Sequence, residues 1–188
     1  MTVTINGNGT ITPVSAVQPA GSILQVQQSS NNTATGYFDL TSNSDYYDFT
    51  NMNVAITPAS SSNKILVSCM AFGEGDDPEY QFRWRIKRVI TGGATTYIQG
   101  PAAGSRIQCM GMVPTAYFDA IDNNTTPMHF GCSNYLDNPS TTSAVTYTFQ
   151  MNSNGNNHKW YYNRTVTDSD TAPHERGLSY ITVMEVAG

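Results

Sequence analysis

The sequence predicts an all-β fold, an antiparallel β-sandwich of jelly-roll type with a short extended N-terminal arm. Three observations predict it. First, apolar and polar residues alternate over residues 80–88, broken only at Arg88, and again over 144–152, where Val145, Tyr147, Phe149 and Met151 share one face. Second, such segments recur roughly every 8 to 14 residues between Gly, Pro and Asn punctuation, and no window of useful length carries a 3.6-residue apolar stripe. Third, 11 Tyr, 7 Phe and 2 Trp sit in a chain that is only 12% charged, a mixture that favours half-buried strands over disorder. The 188 residues suit one domain, residues 21–188, behind an arm of residues 1–20. Folding at this length buries roughly 70% of the extended-chain surface, enough for a core without staples.

In the arm, two β-like pieces are split by glycines and hold too little apolar surface to fold alone. Val3, Ile5, Ile11 and Pro13 are its candidate docking residues for a neighbouring subunit or another protein, by strand addition; a frayed terminus is the other reading. Ile23, Leu24 and Val26 mark a first strand at 22–28, and residues 37–40 a second. Phe49, Met52, Val54 and Ile56 space a half-buried strand over 46–57 before a Pro/Ser loop. Residues 64–72 are apolar on both alternating faces, so a central strand covered on both sides is expected. Over 80–88 Tyr80, Phe82, Trp84 and Ile86 face one way and Gln81, Arg83, Arg85 and Lys87 the other. A slip of one residue would drive cations into the core, so this register is well specified. Thr91-Gly-Gly-Ala94 reads as a hairpin turn into 95–99. Further strands are expected at 105–112, 115–118, 128–132, 144–152, 159–164 and 178–186.

Fourteen acidic against nine basic residues leave a formal charge of −5, which argues against a general nucleic-acid or anionic-membrane binder. No apolar run approaches the ~20 residues that span a bilayer. Met1-Thr-Val-Thr-Ile-Asn-Gly7 has neither the basic region nor the apolar core of a secretion signal, so cytoplasmic synthesis is expected. Cys69, Cys109 and Cys132 are odd in number and have no CxxC spacing; buried, reduced thiols are expected, with no zinc site. His129, His158 and His174 lack HxxxH or HExxH spacing. No GxSxG elbow or phosphate-cradling loop occurs. Asp119 and Asp122 are paired carboxylates, but the long groove on which glycosidic cleavage is usually built does not fit this length. No enzymatic activity and no cofactor are expected.

Three clusters remain. Arg83, Arg85, Lys87 and Arg88 hold four of the nine bases; Arg83, Arg85 and Lys87 form a candidate charged interface, as an inter-subunit network or a binder of anionic glycans. The alternative is a solvated strand face compensated by the acidic turn at 74–79, with exposed pairs contributing ~1 kcal/mol or less each. That turn and Asp168-Ser-Asp170 carry hard-cation donors, but neither has a calcium-loop pattern, so solvated turns are expected and no metal is named. Trp160 and Tyr161 adjoin a polar loop holding Asn156, Asn157 and His158, a candidate glycan platform in which rings supply area and amides orientation. Core or subunit-interface packing explains three consecutive aromatics equally well.

The closing segments carry a resemblance. Asp137-Asn-Pro-Ser-Thr-Thr-Ser-Ala-Val-Thr-Tyr-Thr-Phe-Gln150, Tyr162-Asn-Arg-Thr165 and Arg176-Gly-Leu-Ser-Tyr-Ile-Thr-Val-Met-Glu-Val186 stand in an order that resembles the C-terminal domain of bacteriophage tail-fibre and virion-surface proteins, those of marine and cyanobacterial phages especially. Val54-Ala-Ile-Thr-Pro-Ala-Ser-Ser-Ser-Asn-Lys-Ile-Leu-Val67 and Gly21-Ser-Ile-Leu-Gln-Val-Gln-Gln28 extend it over nearly the whole chain. The resemblance implies a β-sandwich assembled as a homotrimer on the outer surface of a tailed phage, bound to other virion structural proteins and to a host-surface glycan. With a 20-residue arm and no shaft, a seat directly on the capsid or on another virion protein is expected. A capsid decoration protein that clamps capsomer junctions is then the alternative to a fibre tip presenting loops 119–127 and 152–158.

Overall fold

The structure, a computed structural model, describes residues 18–34, 36–77, 82–113, 128–172 and 174–188. Its strands are β1 (Ile23–Asn31), β2 (Phe38–Leu40), β3 (Tyr47–Ile56), β4 (Lys64–Gly75), β5 (Phe82–Ile90), β6 (Thr95–Ile98), β7 (Gly111–Met112), β8 (Met128–Asp137), β9 (Val145–Ser153), β10 (His158–Tyr162) and β11 (Ser179–Val186). Among the described residues there is no helix. Every strand pairing is antiparallel, so the chain is an all-β antiparallel sandwich, as its alternation predicts.

One sheet has six strands in the order β1-β11-β4-β10-β2, with β8 on the other edge of β4; the second runs β3-β9-β5-β6, with β7 also on β5. β1 pairs with β11, β3 with β9, β4 with β8 and β5 with β6. These pairs nest one inside the next along the chain, a wrapping compatible with a jelly roll.

Aromatic rings from both sheets fill the space between them. Phe82 meets Trp160 at 5.4 Å, Trp160 meets Phe130 at 5.3 Å and Phe130 meets Phe149 at 6.0 Å. Phe149 stacks on Trp84 at 5.7 Å and touches Phe49 at 5.1 Å, and Phe49 stacks on Phe38 at 4.1 Å. The Phe82–Trp160, Phe130–Phe149 and Phe38–Phe49 contacts join opposite sheets and tie layer to layer, each worth about 0.5–1.5 kcal/mol beyond area burial.

Three buried polar anchors, Glu185, Asp137 and Asn163, lock this core. Glu185 is 1% exposed. Its Oε1 accepts from the Ala59 amide and from Asn63 Nδ2, both at 2.6 Å, and its Oε2 from Gln25 Nε2 at 2.6 Å. Desolvation alone would raise its pKa; the hydrogen bonds from Asn63, Gln25 and the Ala59 and Ser60 amides outweigh it and hold the carboxyl below its ordinary range. At the same end of β4, across Ile65 from Glu185, Asp137 accepts from Arg88 Nη1 at 2.7 and 2.9 Å and from the Tyr147 hydroxyl at 2.7 Å. This joins β8 of one sheet to β5 and β9 of the other.

Asn163 is a third anchor, with φ at 60°, a region asparagine tolerates better than most residues. Its amide donates to the carbonyls of Asn31 and Thr33 at 2.6 and 2.9 Å, and its Oδ1 accepts from Ser179 Oγ at 2.7 Å. Gly177 lies so close to the Phe72 ring that a Cβ would sit 2.2 Å from Phe72 Cγ.

The structure corrects several expectations. Only one face of β4 is fully buried; Leu66, Met70 and Phe72 on the other are half-covered, because a two-layer sandwich leaves the back of each sheet outward. The strand expected at 105–112 is reduced to β7, while β8 runs on to Asp137. Arg88 is not in the outward cationic row, since it shares a face with Trp84 and Ile86 and turns to Asp137. Of the thiols, Cys69 is buried and Cys109 and Cys132 are half-buried. Cys69 and Cys132 oppose each other across β4–β8 with Sγ atoms 3.5 Å apart; their hydrogen bond and burial push the Cys69 thiol up. Pro19 and Ala20, assigned to the arm, abut the sandwich, with Ser22 N donating to Pro19 O and Gly21 N to Ala187 O. Val3, Ile5, Ile11, Pro13, the loop 119–127 and the strand expected at 115–118 lie outside the described residues.

Replacing Glu185 by Gln should cost about 1.5–3 kcal/mol near neutrality, the range for hydrogen bonds to a charged group. The Glu185 pKa is lowered from 4.5 on folding, so its contribution is complete above that value and is lost as pH falls through the folded one. Thermal unfolding of both proteins across that acid range should show the two midpoints converging. Gly177→Ala should destabilise by about 1–3 kcal/mol through overpacking against Phe72, measured by denaturant titration.

Candidate functional site

The sequence marks Trp160, Tyr161, Asn156, Asn157 and His158 as a glycan platform, and the structure disperses them. β10 alternates about its sheet, so Trp160 turns inward and is 1% exposed; its ring belongs to the core and offers no face to a sugar. Tyr161 turns outward and packs on Tyr37 at 5.4 Å, with the Arg164 guanidinium 4.6 Å from its ring centroid. Asn156 Oδ1 accepts from the Asn43 amide at 2.9 Å, and His158 Nδ1 lies 3.2 Å from Asp76 Oδ1. Asn157 is exposed at a left-handed turn with φ of 61°.

The cationic row of β5 divides similarly. Arg83 is 8% exposed and donates through Nη2 to the carbonyls of Ser153 and Asn43. Lys87 pairs with Asp48. Lys87 and Arg88 have Asp48 and Asp137 as carboxylate partners, and in the acidic turn Glu74 accepts from the Val166 amide at 2.7 Å. Among the described residues no three His, Cys, Asp or Glu side chains gather as metal ligands.

Arg85 builds a different site. Its Cζ lies 3.9 Å from the Tyr46 ring centroid and 3.7 Å from that of Tyr97, so the guanidinium is held flat between two rings. In its plane Nε donates to Gln150 Oε1 at 2.7 Å and Nη1 to Gln99 Oε1 at 2.9 Å. Strand register places these partners, because Asp48 lies opposite Gln150 and Gln150 opposite Arg85 across β3, β9 and β5, while Gln99 follows β6. Gln150 Nε2 donates to Asp48 Oδ1 at 2.7 Å, which turns its oxygen toward Arg85.

Two loops close the site. Tyr46 hydroxyl donates to Gln108 O at 2.8 Å, and Gln108 Nε2 to Gly100 O at 2.7 Å. Asn152 Nδ2 donates to the carbonyls of Ser42 and Asp45 at 3.3 and 2.5 Å, fixing the approach to Tyr46. Burial is the first cause that pushes the Tyr46 hydroxyl up to about 12, so it remains a neutral donor under physiological conditions. Burial also draws the Arg85 pKa below its ordinary value, a mark of a cation removed from water without full compensation.

The result is a pocket of about 330 Å³, within the size range of small-ligand sites. Ser44, Asp45 and Ile107 complete a wall otherwise made of rings, amides and one guanidinium. Sequence reasoning places Arg85 on an outward face but misses the site, since Gln150 and Tyr97 reach Arg85 only through strand pairing, and Tyr46 and Gln108 arrive from loops. No protein-family model matches the chain, and no curated protein matches it.

Trp160→Ala should cost about 3–5 kcal/mol, as for a core aromatic. Tyr97→Ala, at a residue 44% exposed, should cost about 1 kcal/mol or less. Urea unfolding of the two variants separates the core ring from the site ring.

Proposed function

We propose that the protein is a non-enzymatic structural module on the outer surface of a tailed-phage virion, a fibre or capsid-surface part whose pocket at Arg85 binds a host-surface glycan. In this reading the sandwich is of jelly-roll type, assembles as a homotrimer in the host bacterial cytoplasm and docks on other virion proteins through its N-terminal arm. The observation that carries the glycan reading is the Tyr46–Arg85–Tyr97 stack ringed by Gln99 and Gln150. Aromatic rings beside oriented amides are the chemistry that recognises a sugar's apolar faces and hydroxyls. The resemblance of the closing segments to phage surface proteins supports the virion assignment, and the motif residues Asp137, Asn163, Gly177 and Ser179 all anchor the sandwich.

One observation favours the alternative of a capsid decoration protein that stabilises capsomer junctions without binding a receptor. Val26, Met184, Leu66 and Leu136 line up across β1, β11, β4 and β8 on the outward face of the six-stranded sheet. Val26 and Leu136 are exposed. An aliphatic row of this kind suits a protein contact, with a second copy or with the capsid.

Antibody labelling of intact virions distinguishes the two. Label at the tail periphery, together with binding of the purified protein to host polysaccharide, is the expected result; label over the head without polysaccharide binding favours decoration. Deleting residues 1–17 should abolish attachment to particles and leave sugar binding and subunit number unchanged, as read by co-sedimentation and light scattering.

A further inference from the structure

We propose that the pocket takes an acidic sugar, with the carboxylate of a uronic-acid residue seated on Arg85 Nη2 and Gln99 Nε2. The inference rests on the glycan-binding reading above and names the sugar class. Three features of the site carry it.

The first is charge. Lys87 and Arg88, its neighbours on β5, have carboxylate partners in Asp48 and Asp137. Arg85 has only amide oxygens and ring faces, and no carboxylate pairs with it among the described residues. The second is the direction of the free hydrogen-bonding groups. Gln99 and Gln150 both turn their oxygens to Arg85, and Gln150 spends its nitrogen on Asp48. What is left at this edge of the pocket is Arg85 Nη2 and Gln99 Nε2, donors without a partner among the described residues. Adjacent donors with one full positive charge call for an anionic acceptor.

The third is shape. Tyr46 and Tyr97 cover both faces of the guanidinium, so a ligand reaches it only edge-on, in its own plane, the approach a planar carboxylate makes to arginine. The one carboxylate in the wall belongs to Asp45, beside Ser44. Asp45 offers acceptors to sugar hydroxyls rather than to a second anion. A polyol bearing a single carboxylate answers both ends of the pocket.

The test is an NMR titration of the full chain with methyl glucuronoside, methyl glucoside and methyl glucoside 6-sulfate. The expected result is that the glucuronoside binds roughly ten-fold or more tightly than the neutral glucoside, as a charge-assisted hydrogen bond provides, and that Arg85→Gln removes this preference. Should Arg85→Gln fail to fold, Gln99→Ala carries the same comparison from the pocket edge, with a several-fold loss for the glucuronoside alone. Equal binding of acidic and neutral glycosides overturns the inference and leaves glycan binding intact. A sulfate that binds as tightly as the carboxylate overturns the carboxylate assignment. No binding by any of the three sugars, together with no binding to host polysaccharide, overturns the inference and the glycan reading at once; polysaccharide binding with all three sugars silent overturns the inference alone.

Discussion

The structure depends on one constraint: two sheets with few charges and a modest apolar fraction must be held together by the rings between them. Phe82, Trp160, Phe130, Phe149, Phe49 and Phe38 form a connected path across the sandwich. These rings are the largest apolar side chains between the sheets, and with the aliphatics packed beside them, Ile65, Val67, Met151 and Val183 among them, they decide which face of each strand turns inward. The orientation of the functional residues follows. With Trp84 and Ile86 committed to the core, Arg83, Arg85 and Lys87 must leave on the opposite face of β5.

Polar anchors refine what the rings fix. The Asp137 clamp fastens the sheets to one another at the end away from Phe82 and Phe38, Glu185 gathers the loop at 58–63 onto β11, and Asn163 joins the chain near β1 to the end of β10 and the start of β11. Each is a buried group whose hydrogen bonds come from distant parts of the sequence. Such groups contribute modestly when satisfied and are costly when orphaned, so they select one register more than they add stability.

The fold was legible in the sequence where the two faces of a strand differ in chemistry. β5 and β9 alternate rings or aliphatics with cations, Thr and Gln, and both appear at the expected positions within a few residues. Legibility failed where a local pattern is decided by distant pairing. β8 continues past Cys132 through a register shift, with Asn134 in a left-handed conformation, and no alternation marks it. The start of the strand expected at 105–112 is instead a loop, held by Pro101, Gly104 and the Gly100–Cys109 hydrogen bond. Trp160 and Tyr161 are chemically similar neighbours, and only the pairing of β10 with both β2 and β4 tells which is buried. The pocket was the least legible part. Its residues are scattered between Ser44 and Gln150, and nothing in the order of the chain announces that a tyrosine from a loop and another from β6 meet the same guanidinium.

The double stacking of Arg85 has an entropic side. A free arginine surrenders a good deal of rotational freedom when it grips a ligand, on the order of 0.5–1.5 kcal/mol for an interfacial side chain. Here both faces and two of the three nitrogens are already engaged, so that freedom was lost when the chain folded. Under the proposed glycan-binding role, association would order the incoming molecule and little of the host, and a site this rigid would discriminate by geometry, having no slack with which to accommodate a poorly shaped guest.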